Sequence, residues 1–294
     1  MGRYSKCGSY YSLSKSGFMI IILLFLVFLG ILAGIIGAVL GLGGGIVIVP
    51  VLTFLFDMPI HNAIGISLVV ITANSMSNSA VYLKSGEINM NLGILLSTAA
   101  AVGALIGGRL VVNMPQHIVM RCLGCVLILM AYLTYLKVRK SVDVQSIPLK
   151  TKSIFYGEYI DKATDKLVQY NPVRVTWNIL FGFLSGIFSG ISGAGGGALT
   201  IPGMNLISNI PIKAATATSV FIIGFTAAAG SIIFIQAGKV QAEVVCSIIL
   251  GVIIGTKLSM RYFSKITDKR VSFIIIFLLL FVAFQMLYKG FNNG

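Results

Sequence analysis

The chain has 294 residues, 57% of them hydrophobic and 10% charged, with a mean hydropathy of +0.97. That leaves too few polar side chains to clothe a water-soluble globule of this length, so much of the surface must face lipid. The formal charge of +14 does not point to nucleic acid, because the basic residues are scattered around apolar spans without interleaved aromatics. It bears instead on orientation in a bilayer.

The first segment, 1–17, carries Arg3, Lys6 and Lys15 and is expected to be a cytoplasmic tail. From Phe18 past Leu40 the chain is apolar on every face, as it is again from Val271 to Tyr288. Barrel strands would alternate polar and apolar residues, so these are helices. The first run lacks a small-residue cleavage pattern and leads into more apolar sequence, so a retained helix is expected and not a signal peptide.

Setting Gly30–Arg109 against Gly182–Arg261 at an offset of 152 gives 18 identities in 80 positions, ten of them Gly or Pro. Glycine and proline determine backbone shape, so shape is what repeats. The expected fold is an all-α integral membrane protein of about eight transmembrane helices, in two homologous four-helix repeats, each opening with a glycine-broken helix. Repeat 1 is residues 18–136 and repeat 2 is 175–288, followed by a tail at 289–294. In the first repeat the later spans read as 60–83, 89–112 and 117–136.

Between the repeats, 137–174 carries eight basic and four acidic residues and ends near Asn171-Pro172, which reads as a solvated cytoplasmic linker. If each glycine-broken stretch crosses once, both termini and the linker share a side, and the basic excess makes that side cytoplasmic. Phe18 to Phe56 is too long for one crossing of a ~30 Å layer at ~1.5 Å per residue, so something folds back. A re-entrant or crossing piece from Ile46 to Met58 would permit inverted repeats.

The strongest local pattern is Gly41-Leu42-Gly43-Gly44-Gly45 with Pro50, echoed by Gly193-Ala194-Gly195-Gly196-Gly197 with Pro202. A helix break at membrane depth frees backbone amides and is tolerated only against protein or a polar cavity. The helix that resumes offers N–H groups and a positive dipole end to an anion, through Gly43, Gly44 and Gly45 and through Gly195, Gly196 and Gly197. Close helix packing is the other reading of such glycines.

Neutral hydrogen-bonding side chains follow each break. Ser67 and Ser219 occupy matching positions, and Asn74 and Asn78 share one helical face. Arg109 and Arg261 also match, but arginines at span ends more often snorkel. Glu243 has no acidic counterpart, since Asn91 takes its place in the first half.

Cys122-Leu123-Gly124-Cys125 lacks the thioredoxin-like setting a redox site needs, and with Cys7 and Cys246 these read as packing thiols. His61 and His117 are isolated, so no metal site is expected, nor a cofactor or a catalytic constellation.

The two glycine runs with their prolines, the Pro59/Pro211 and Gly86/Gly238 echoes and the four-span repeats together resemble the TauE/SafE sulfite exporter family (TSUP) over residues 28–288. The resemblance implies a bacterial-type inner-membrane permease for sulfite, sulfonates or related organosulfur anions, with a small anionic solute and the lipid bilayer as partners. The expected mechanism is alternating access between the repeats. A cation or neutral-solute carrier, an enzyme using Cys122 and Cys125, and a non-transporting membrane scaffold are the competing classes. Homo-oligomerisation is left open.

Overall fold

The computed structural model describes residues 7–41, 43–139, 153–161, 166–262 and 269–292. Arg3, Lys6, Leu42 and much of the linker lie outside the described residues, as do the side chains of Lys15 and Arg261.

The described chain is almost wholly helical. The first half runs α1 (Cys7–Leu40), α2 (Gly45–Leu55), α3 (Ile60–Lys84), α4 (Met90–Val112) and α5 (Gln116–Arg139). A two-stranded antiparallel ribbon follows, β1 (Gly157–Asp161) against β2 (Lys166–Tyr170). The second half runs α6 (Val175–Ser192), α7 (Gly197–Pro202) continued by a π-helical turn (Gly203–Ile207), α8 (Ile212–Gln236), α9 (Ala242–Tyr262) and α10 (Lys269–Asn292). Six of them, α1, α3, α4, α6, α8 and α9, are long and apolar enough to cross a membrane. Phe28, Leu110, Leu250, Phe277 and Phe284 are exposed, the outward apolar surface that lipid requires.

In lipid, helices gain nothing by hiding leucine from leucine, and small residues that let backbones touch drive association instead. Two helix pairs show this. Gly30 and Gly34 of α1 lie on Ile248–Thr256 of α9, and the two helices run in the same direction. Gly186 and Gly190 of α6 lie on Ala100 and Ala104 of α4, again in the same direction. At the centre α3 and α8 are antiparallel, with Gly65 against Phe234, Leu68 against Gly230, and the Ser75 hydroxyl donating to the Val220 carbonyl at 2.8 Å.

The glycine breaks turn the chain back. Gly44 lies beside Ala33, and α2 then descends along α1 until Phe25 and Phe56 meet as tilted rings with centroids 5.8 Å apart. The long apolar stretch is therefore a hairpin whose two ends open on the same end of the bundle. That end also holds Asp57, paired with Lys289 at 3.5 Å near the carboxyl terminus. About 25 residues of α3 separate it from the opposite end, where the Asn89 amide donates to the Phe155 carbonyl at 2.7 Å and anchors the ribbon.

This differs from the expectation that the amino terminus, the linker and the carboxyl terminus share one side. Each glycine-broken stretch turns back on itself, so the ribbon of the linker lies at the end of the bundle opposite the start of α1 and the end of α10. The linker is also not all solvated chain, because Tyr159 and Tyr170 of the ribbon are buried.

Candidate functional site

The two hairpins meet tip to tip. Gly41, Gly43 and Gly44 have φ of 67°, 88° and 81°, and Gly193, Gly195 and Gly196 have 63°, 83° and 45°. Such left-handed values in close succession are open without strain only to glycine. At the crossing the backbones touch. A Cβ on Gly45 would strike the Gly193 carbonyl, and one on Gly197 would stand 2.5 Å from the Gly41 carbonyl oxygen. The two contacts exchange under the 152-residue offset. So do the flanking isoleucines, since Ile71 packs on Gly45 and Ile223 on Gly197.

The side chains singled out in the sequence gather here, and most of their hydrogens are already committed. The Ser67 hydroxyl donates to the Gly193 carbonyl at 2.7 Å, across the two halves. Asn74 Nδ2 donates to the Gly43 carbonyl at 3.2 Å, and its Oδ1 accepts from Asn78 Nδ2 at 3.0 Å and from the Thr256 hydroxyl at 2.8 Å. Ser219 pairs with Thr200 at 2.9 Å instead of mirroring Ser67. These groups are therefore braces on the glycine turns before they are anything else.

Thr256, Thr200 and Ser185, whose hydroxyl donates to the Gly196 carbonyl at 2.7 Å, also belong to the site and were not singled out. Thr256 faces Ala104 across the repeat and Ser185 faces Ala33, so identity at the 152 offset passes over both. Thr200, inside the Gly-to-Pro stretch, was open to notice.

Among the described residues every fully buried polar side chain, tyrosines aside, is Ser, Thr or Asn. No ionised group is there to attract a charged solute, so the field at the hairpin tips comes from backbone dipoles. α2 presents its first-turn amides at the crossing, where a helix has no internal acceptors for them; its first reverse bond is Val47 N–H to the Gly44 carbonyl at 3.2 Å. α7 is short, and its π-helical continuation is held by Asn205 Nδ2 donating to the Ile210 carbonyl at 2.8 Å.

A cavity of about 350 Å³ opens at the end that holds the termini, walled by Ile22, Leu26, Leu52 and Phe56 and rimmed by Asp57 and Gln241. None of the glycines or polar side chains of the crossing lines it. Arg109 is exposed on the last turn of α4, away from the crossing, and Glu243 is exposed at the start of α9. Cys125 and Cys246 are exposed, Cys122 is half-buried, and none of the three is bridged. His61 Nε2 lies 3.1 and 3.0 Å from the Val111 and Met114 carbonyls, closing the end of α4.

A family model described as "Sulfite exporter TauE/SafE" matches residues 26–286. The chain is 30% identical over 272 residues to "Probable membrane transporter protein YunE" of Bacillus subtilis, covering 90% of this chain and 97% of that protein. It is 27% identical over 264 residues to a protein of Methanocaldococcus jannaschii also named a probable membrane transporter, covering 85% and 90%. A third relative, "Probable membrane transporter protein YdhB" of Bacillus subtilis, is 26% identical over 244 residues, covering 83% and 89%. No solved structure matches the chain.

Proposed function

Because the chain belongs to the TauE/SafE sulfite exporter family, a family of membrane transporters and not enzymes, we propose that it carries small oxyanions across the plasma membrane. Sulfite, sulfonates and related organosulfur anions are the substrates, moved by alternating access about the point where the hairpins meet. The observation that carries this is a crossing of two glycine turns, buried among neutral side chains, with the amino end of α2 supplying donors and positive dipole. The amides of Gly43, Gly44 and Gly45 contact the anion, and those of Gly195, Gly196 and Gly197 line the opposite wall. Ser67, Ser219, Asn74 and Asn78 hold those walls in place. Weak neutral donors suit a solute that must also leave.

The architecture in this proposal is two inverted repeats, each one re-entrant hairpin followed by three crossing helices, in place of eight crossings. The antiparallel α3/α8 pair and the exchange of contacts at the 152 offset support it. Once the linker and the termini are on opposite sides, the orientation follows from where the basic residues are. Lys84, Lys137, Arg139, Arg174, Lys213 and Lys257 lie toward the linker end, against Arg109, Arg121, Lys239 and Lys289 toward the other. The positive-inside rule then sets the linker in the cytoplasm and both termini outside.

The test is flux in proteoliposomes of sulfite, sulfate, thiosulfate and a taurine-like sulfonate, beside a cation and a neutral solute. Wild type is compared with Gly44→Leu and Gly196→Leu at matched folded reconstitution. Oxyanion flux lost in both variants is expected. Flux of the cation or the neutral solute alone points to the other carrier class, and no flux of any solute points to a scaffold.

A further inference from the structure

The polar cluster beside the first hairpin has a surplus of one kind. Asn74 Nδ2 faces the Gly43 carbonyl, so its Oδ1 must accept, and it does so from both Thr256 and Asn78. That fixes the Asn78 amide, since turning it over would set two carbonyl oxygens against each other. Its Oδ1 is left buried with no hydrogen-bond partner, on a residue only 1% exposed. A buried acceptor left unpaired has given up its water without replacement, so it calls for something that donates or carries positive charge.

A second observation points the same way. α1 and α3 run in the same direction, and Gly37 of α1 lies against Asn74. Asn78, one turn further along α3, is therefore level with the last turn of α1, which ends at Leu40. The carbonyl end of a helix is its negative pole. The break thus has two faces of opposite character, the amide end of α2 for an anion and the carbonyl end of α1 with Asn78 Oδ1 for a cation. The second half has no such cluster. At the positions related by the 152 offset to Asn74, Asn78 and Thr256 stand Thr226, Gly230 and, from the first half, Ala104, and the Thr226 hydroxyl is spent on its own helix at 2.8 Å.

We propose that Asn78 Oδ1 and the carbonyl end of α1 bind a small monovalent cation of the size of Na+, and that this ion couples to the anion. Neutral oxygens without a carboxylate suit a monovalent ion and not Ca2+ or Mg2+. The cluster has no titratable group with which to store a proton. Binding of the cation stands on its own, and only the coupling rests on the anion reading above.

The test starts without substrate. Thermal unfolding of the detergent-purified protein is followed in sodium gluconate, potassium gluconate and choline gluconate at equal ionic strength. Sodium is expected to raise Tm by at least about 2 °C over choline. Asn78→Leu should abolish that shift. Asn178→Leu, which removes the unpaired amide oxygen on α6, outside this cluster, should retain it. In proteoliposomes Na+ should strengthen the apparent affinity for sulfite at least about five-fold in wild type. An equal Tm in sodium and choline overturns the site, as does a sodium shift that survives Asn78→Leu. If Asn78→Leu does not fold, the wild-type comparison still decides. A sodium-specific shift without anion flux leaves the cation site standing and removes the anion reading.

Discussion

Gly197→Ala sets two effects of opposite sign against each other. On helix propensity alone the change stabilises, since alanine is favoured over glycine by about 1 kcal/mol in a helix. The added Cβ, however, stands 2.5 Å from the Gly41 carbonyl oxygen and 2.7 Å from Ile223 Cδ1. An ordinary carbon-to-oxygen contact is about 3.3 Å, so the hairpins must part by roughly 0.8 Å. The obstruction is backbone at a left-handed glycine, which does not swing aside like a side chain, and overpacking of this kind costs about 1–3 kcal/mol. The steric effect wins. Sulfite flux in proteoliposomes should fall at least about ten-fold at matched folded protein, judged by a monodisperse size-exclusion peak. Gly86→Ala is the control, because its φ of 70° carries strain but a Cβ there meets nothing within 4 Å. Its flux should equal that of wild type. Wild-type flux from Gly197→Ala would refute the idea that the hairpins work in contact.

Three further outcomes are expected. Gly186→Leu drives a side chain into the Ala100 backbone of α4, and should lower the thermal stability of the purified protein by at least about 1–3 kcal/mol. Burial pushes the Tyr170 hydroxyl up to about 12 from its ordinary 10. A raised value means the folded ribbon holds the proton more tightly than the unfolded chain, so its stability is intact below pH 10 and is lost as pH rises through 12. The difference in absorbance at 295 nm between wild type and Tyr170→Phe should therefore titrate near the upper value. Finally, Ile160→Cys, at an exposed site on the ribbon, should react with an impermeant maleimide in inside-out vesicles and not in intact cells, and a carboxyl-terminal tag should show the reverse.

Much of this protein is legible from sequence. Mean hydropathy and unbroken apolar runs give a helical membrane protein, because lipid leaves backbone polar groups no partner outside a helix. The glycine runs mark the breaks, since runs of left-handed residues need glycine. Asn74 and Asn78 are found by helical spacing alone, and the spans at 60–83, 89–112 and 117–136 end within a few residues of α3, α4 and α5. The sequence also requires that 39 residues from Phe18 to Phe56 fold back somewhere.

Only the tertiary structure decided the rest. Whether a broken helix crosses or returns depends on which neighbour its second half packs against, and Phe25 against Phe56 is a contact that no local pattern encodes. That contact sets the linker and the termini at opposite ends. The roles of the polar side chains were equally hidden. Composition shows that Asn74 has hydrogens to give, but only Gly43 and Thr256, brought from 31 and 182 positions away, show where its amide is spent and that the leftover atom is an acceptor. Hydrogen-bond accounting of that kind closes over a whole neighbourhood, and a neighbourhood exists only once the chain has folded.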